Sequence, residues 1–158
     1  MSNMNNLDCC FLVCGNSKKT YQESSKTYSA IEPPTWALLL AESTRAIGFK
    51  VNIIDANAEN LSEEDIYIRI KKLSPKLLCF VAYGQNVNAG TINMTGVIHI
   101  ASYLYKRNIN IPMSIIGSHV QALPIETLQK EKIIDFVFTN EAVYALRNIL
   151  KLDSFDSQ

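Results

Sequence analysis

One histidine of this chain directly follows two small residues, in Ile115-Ile116-Gly117-Ser118-His119-Val120-Gln121-Ala122-Leu123-Pro124. The stretch reads as a buried strand that ends in a small-residue turn and enters a helix. A strand running into Gly-Ser lets the backbone come close to a ligand, because no bulky group stands on Cβ. At that place His119 has three chemistries open to it: donating to a ligand, ligating a metal, or packing against a flat ring. No cysteine or carboxylate accompanies it at ligand spacing, so no metal site is assigned. A second candidate is Tyr83-Gly84-Gln85-Asn86, a polar turn after an all-apolar run, which sets donors and acceptors on a rim. Gly15 and Asn16 follow the first apolar run in the same way. Asn140-Glu141 is expected to open the last helix, where the helix dipole favours a carboxylate. Glu141 then either caps that helix or faces the crevice. No nucleophile stands paired with a base, so no catalytic residue is assigned.

Other signatures are missing. A dinucleotide site needs Gly-x-Gly-x-x-Gly after the first strand, and a phosphate loop needs a second glycine followed by Lys-Ser or Lys-Thr; Gly15-Asn16-Ser17-Lys18-Lys19 supplies neither. A receiver domain would place acidic residues where Gly15 and Tyr83 stand. Three of the four cysteines, Cys9, Cys10 and Cys14, lie in one apolar run and Cys79 in another, which suits buried thiols better than disulfides. Cys10 and Cys14 lack the third cysteine that an iron–sulfur spacing requires. Asp55 and Asn57 suit a turn, and His99, in mid-helix, suits a structural role.

The elements that must position these residues belong to one domain. The chain has 158 residues, 47% of them hydrophobic, enough to bury a core without staples. The division predicted is a disordered tail over 1–8, a domain over 9–152, and a tail or linker over 153–158. Lysine and arginine balance aspartate and glutamate at 15 each, with no long basic run, which argues against nucleic acid as a partner. No stretch approaches the length of a membrane span and the polar start lacks a signal-peptide core, so a cytoplasmic protein is expected.

Apolar runs predict strands at 9–14, 50–54, 77–82, 112–116 and 134–138. Between them lie predicted helices at about 34–47, 62–73, 90–107, 123–130 and 140–150. Trp36, Leu39, Leu40 and Ile47 recur at helical spacing in the first; Ile66, Ile70 and Leu73 line the second, opened by Ser62 with Asp65 as a capping box. Met94, Val97, Ile98, Ala101, Leu104 and Tyr105 form the inward stripe of the third. Val143, Leu146, Ile149 and Leu150 serve the last. Strand and helix alternate, and the strands read as continuous apolar runs, so the expected architecture is α/β: a doubly wound five-stranded parallel sheet in three layers. Loops 15–20, 83–89, 117–122 and 139–141 then share one rim, where such sheets bind ligands. The long polar segment 15–33 reads as functional or mobile.

Four stretches in register resemble one family: Glu32-Pro33-Pro34-Thr35-Trp36-Ala37-Leu38-Leu39-Leu40-Ala41; Ile54-Asp55-Ala56-Asn57-Ala58-Glu59; Gly117 to Pro124; and Asp135-Phe136-Val137 with Glu141. Together they look like the cobalamin-binding domain of cobalamin-dependent radical S-adenosylmethionine enzymes, over about residues 9 to 150. The resemblance implies a flavodoxin-like, Rossmann-like fold with a corrinoid over the carboxyl ends of the strands and its nucleotide tail beside strands three and four. It maps the family's Gly-Gly-x-His turn onto Gly117, Ser118 and His119, with Ser118 in place of the second glycine and narrowing the channel. Tyr83, Gly84, Gln85 and Asn86 would then meet the corrin or its amides, and Gly15, Asn16 and Glu141 complete the expected cofactor contacts. Many other cobalamin domains place a cobalt-ligating histidine in Asp-x-His-x-x-Gly after the first strand. Residues 15–21 hold no histidine, so a lower face without a histidine ligand is implied.

No Cys-x-x-x-Cys-x-x-Cys occurs in the chain. The iron–sulfur cluster and S-adenosylmethionine are therefore expected on a catalytic domain absent from it, either in a longer enzyme or as a separate chain, with methyl transfer or a related radical reaction as the outcome. The alternative is a cofactor-free interaction module that keeps the fold and docks a partner domain.

Overall fold

The computed structural model describes residues 7–14, 33–83 and 87–152, with the backbone alone for 87–92. Its strands are β1 (Cys9–Val13), β2 (Val51–Asp55), β3 (Leu77–Ala82), β4 (Met113–Gly117) and β5 (Phe136–Phe138). Its helices are α1 (Thr35–Arg45), α2 (Glu63–Leu73), α3 (Val87–Lys106), α4 (Ser118–Ala122), α5 (Pro124–Lys130) and α6 (Val143–Ile149). All strand pairs are parallel and the sheet runs β2-β1-β3-β4-β5, the order of the flavodoxin-like doubly wound fold.

Both faces of the sheet are covered, which is why β3 and β4 are apolar at nearly every position. Cys10, Leu12, Leu78, Phe80 and Ile115 join Ile66 and Ile70 of α2 and Val97, Ala101 and Leu104 of α3 in one core. Cys9, Phe11, Cys79, Val81 and Ile116 join Ala37, Leu40 and Ala41 of α1 and Leu146 of α6 in the other. The four cysteines are buried and unbridged, as the apolar runs lead one to expect.

Two predicted stripes shift. α1 buries Ala37, Leu40, Ala41 and Thr44, whereas Leu39 is 55% exposed and Ile47 has left the helix. Small residues let α1 lie close on the sheet, and the Thr44 hydroxyl, buried with them, donates to the Leu40 carbonyl at 2.6 Å. Gly48, with φ +95, turns the chain out of that helix in a left-handed conformation suited to glycine. On α3 the inward face uses Ile100 beside Val97, Ala101 and Leu104, and Tyr105, 62% exposed, points away. The α2 start is as expected: the Asp65 amide donates to the Ser62 hydroxyl at 3.2 Å and the Ser62 amide to the Asp65 carboxylate at 3.0 Å.

Turns bordering the site are set by side chains. Asp55 accepts from the amides of Asn57 and Ala58 at 3.1 and 3.0 Å, making the turn after β2. Asp135 seats β5 beside β4: its carboxylate accepts from the Met113 amide at 2.7 Å, and its own amide donates to the Met113 carbonyl at 2.9 Å. The expected loop at 117–122 is instead α4, which starts on the residue after β4. Residues 123–130 therefore hold the second of two short helices, α5. Asn140-Glu141 precedes α6 rather than opening it. The helix begins after Ala142, which has φ 61 and whose amide donates to the Asn140 side-chain oxygen at 2.8 Å.

Candidate functional site

The register levels the carboxyl ends of the central strands. Ala82 pairs with Gly117 and Ile116 with Phe138, so Tyr83, Ser118 and Asn140 leave the sheet at the same height on β3, β4 and β5. Gly117 has an extended backbone, so the need for glycine there is one of space. A Cβ on it would stand 2.5 Å from the Ala82 carbonyl oxygen and 2.9 Å from its carbon. The missing side chain therefore makes room for strand β3. The next residue is different. The Ser118 hydroxyl oxygen is sealed from solvent and has no hydrogen-bond partner among the described residues. A buried hydroxyl left unpaired costs about 1–3 kcal/mol, so it is a place where an incoming polar group would be rewarded.

Tyr83 is held at three points. Its carbonyl accepts from the Asn93 side-chain amide at 3.0 Å. Its hydroxyl accepts from Gln121 Nε2 at 2.6 Å. Its ring stacks on Trp36 from the first turn of α1, with centroids 4.6 Å apart and planes inclined by 23°. Gln121, on α4, also donates to the Asn140 carbonyl at 3.2 Å, which ties the turn after β3 to the turn before α6. Burial, then the Glu141 carboxylate, raise the Tyr83 hydroxyl above its ordinary pKa, and the bond from Gln121 opposes them in part. The phenol therefore keeps its proton at neutral pH, and Glu141 stands close enough to be felt.

His119 goes elsewhere. It lines a groove of about 430 Å³ on the flank of the sheet, with Met94 and Ile98 of α3 and Leu123, Glu126 and Lys130 around α5. His99 pairs with Glu63, joining α3 to α2. The thiols offer no nucleophile, since burial pushes Cys10, Cys14 and Cys79 up to about 12 and Cys9 upward as well. Among the described residues no group of three metal-ligating side chains occurs. Of the residues singled out in the sequence, Gly15, Asn16, Gly84, Gln85 and Asn86 lie outside the described residues. Tyr83 and Ser118 stand level at the carboxyl ends of β3 and β4, and Glu141 lies near enough to Tyr83 to act on its hydroxyl.

Trp36, Asn93 and Gln121 belong to the same cluster and have no site signal of their own in the sequence. Trp36 reads as part of a helix stripe and Gln121 as part of a turn. What marks Trp36 is its place in the first turn after Pro33-Pro34, which aims it at the carboxyl edge.

A parallel sheet in the order 2-1-3-4-5 defines a flavodoxin-like doubly wound domain, and an aromatic and polar cluster stands at the carboxyl edge where such folds take ligands. No family model and no curated protein sequence matches this chain. Among solved structures it is similar to the radical S-adenosylmethionine methyltransferase TsrM from Kitasatospora setae, determined with tryptophan substrate and a S-adenosylmethionine analogue bound. That likeness covers 90% of this chain at 14% identity, with a TM-score of 0.64. The chain spans 25% of the length of that methyltransferase. At such identity the likeness shows the fold. No helix among the described residues is long and apolar enough to cross a membrane.

Proposed function

We propose that the carboxyl edge of this sheet binds cobalamin, and that the chain is the cofactor module of a radical S-adenosylmethionine enzyme whose catalytic barrel lies outside these residues. The observation that carries the reading is the rim itself: a stacked Trp36–Tyr83 pair, the Gln121 amide, the Glu141 carboxylate and the unpartnered Ser118 hydroxyl, all at the ligand edge of the fold. The fold of a methyltransferase of the radical class supports it, as does the four-part sequence resemblance.

These residues fit a large, flat, amide-bearing ligand. The aromatic pair presents apolar surface, Tyr83 retains a proton to donate, and in this reading the unpaired Ser118 hydroxyl is a contact for the nucleotide tail. His119 faces the α3 flank and residues 15–21 hold no histidine, so in this reading the cobalt takes no imidazole from either place. Bound there, cobalamin would carry a methyl group for transfer or support a related radical step, with the iron–sulfur cluster and S-adenosylmethionine supplied by the catalytic domain. The chain's own part is to hold, orient and shield.

Titrating the purified chain with hydroxocobalamin should change the visible spectrum saturably. Ser118→Trp should remove the change while the far-ultraviolet circular dichroism stays that of the parent. No spectral change in the parent chain would refute the reading.

A second reading has its own support. Leu38 and Leu39 of α1 and Tyr144 of α6 are exposed on the helices of one face. A cofactor-free module docking a partner domain would use such a surface, and would leave the cobalamin spectrum unchanged.

A further inference from the structure

The Gln121 side chain is fixed in orientation by what it touches. The Asn140 carbonyl can only accept, so the amide nitrogen must face it, and the same nitrogen donates to the Tyr83 hydroxyl. Two consequences follow for the atoms left over. Tyr83 accepts from Gln121 and so has its own O–H free to donate, and no acceptor for it occurs among the described residues. Gln121 Oε1 has no donor among the described residues, and the Glu141 carboxylate has neither a hydrogen bond nor an ion pair there.

Around the Tyr83 hydroxyl the described residues therefore present that donor together with two acceptors, Gln121 Oε1 and Glu141, beside the face of Trp36. A primary carboxamide offers the converse, a carbonyl to accept and an NH₂ to donate. A carboxylate offers acceptors alone, and would set a second negative charge near Glu141. We propose that the Trp36–Tyr83–Gln121–Glu141 cluster is a carboxamide-reading subsite, which selects a ligand with amidated side chains over the same ligand with free carboxylates. The inference rests on the cobalamin reading and names what this part of the site recognises: the peripheral amides of the corrin.

The discrimination is local. The chain has zero formal net charge, so a polyanionic ligand meets no general repulsion and the contrast must come from the subsite. Raised by burial and by Glu141, the Tyr83 phenol remains a donor across the neutral range.

The test compares two corrinoids that differ in the relevant group, cobinamide with amides and cobyrinic acid with carboxylates. Binding to the full chain is read by the visible spectrum and by quenching of Trp36, the single tryptophan of the chain. Cobyrinic acid should bind at least about 10-fold more weakly than cobinamide, since one adverse contact of about 1.4 kcal/mol accounts for tenfold. Glu141→Gln, at an exposed position, should strengthen cobyrinic acid and close the gap to about 3-fold or less. Tyr83→Phe should weaken cobinamide by about 2- to 10-fold, the worth of one neutral hydrogen bond. Equal affinity for the two corrinoids in the parent chain, or a gap unmoved by Glu141→Gln, would overturn the subsite and leave cobalamin binding standing. Failure of hydroxocobalamin, cobinamide and cobyrinic acid alike to bind would overturn both.

Discussion

At the scale of single residues, neighbouring positions of one turn do opposite things. Gly117 is needed because β3 fills the space a side chain would take, and the half-buried Ser118 keeps an unpaired hydroxyl. Gly117→Ala should thus destabilise the protein by about 1–3 kcal/mol in urea denaturation, because the Ala82 backbone cannot step aside inside a central strand pair. Destabilisation below about 0.5 kcal/mol would show that the strands relax. The thiols make a second residue-scale prediction. Cys10, Cys14 and Cys79 are pushed by burial from 9.0 up to about 12, so folding holds their protons more tightly than the unfolded chain does. Their contribution is fully present below pH 9.0 and is lost as pH rises toward 12. The unfolding free energy should fall steadily above pH 9, by up to about 1.4 kcal/mol per pH unit for each thiol, and a thiol reagent at neutral pH should react only as the protein unfolds. Rapid modification of folded protein would contradict the burial.

At the scale of elements, the strands are legible in sequence and the helix faces less so. Leu77–Ala82 is apolar throughout because helices cover both sides of it, and burial on both faces is what removes the alternation of a half-exposed strand. The α2 start is legible because Ser62 and Asp65 are spaced for a cap. The buried face of α1 is hidden by size: Ala37, Ala41 and Thr44 carry less hydrophobic signal than Trp36 and Leu39, yet small residues are what lets a helix lie close on a sheet. Leu40→Ala should therefore cost about 2–5 kcal/mol, while Leu39→Lys changes stability by less than about 0.5 kcal/mol. The reverse order in a denaturant series would restore the larger stripe. The last helix start is hidden for another reason. Asn140 caps a turn rather than a helix, through its bond to the Ala142 amide, while its carbonyl accepts from the distant Gln121, a contact that local spacing does not reveal.

At the scale of the whole molecule, the site is a product of strand order. Residues 36, 83, 121 and 141 lie far apart in sequence, and periodicity alone says nothing of their meeting. Order 2-1-3-4-5 places β3 and β4 side by side, brings Tyr83 level with Ser118, and sets α1 where Trp36 reaches the Tyr83 ring. The sequence resemblance points to this edge through the Gly117-Ser118-His119 turn, and the structure divides that turn, with His119 facing the α3 flank. A cofactor bound to the folded state alone stabilises it by mass action, without any catalytic domain present. The direct measurement is the unfolding free energy of the purified chain with and without hydroxocobalamin. At a hundredfold excess over the dissociation constant set by the spectral titration, stability should rise by roughly 2.7 kcal/mol. Unchanged stability at every cobalamin concentration would contradict the assignment of this edge as a cobalamin site.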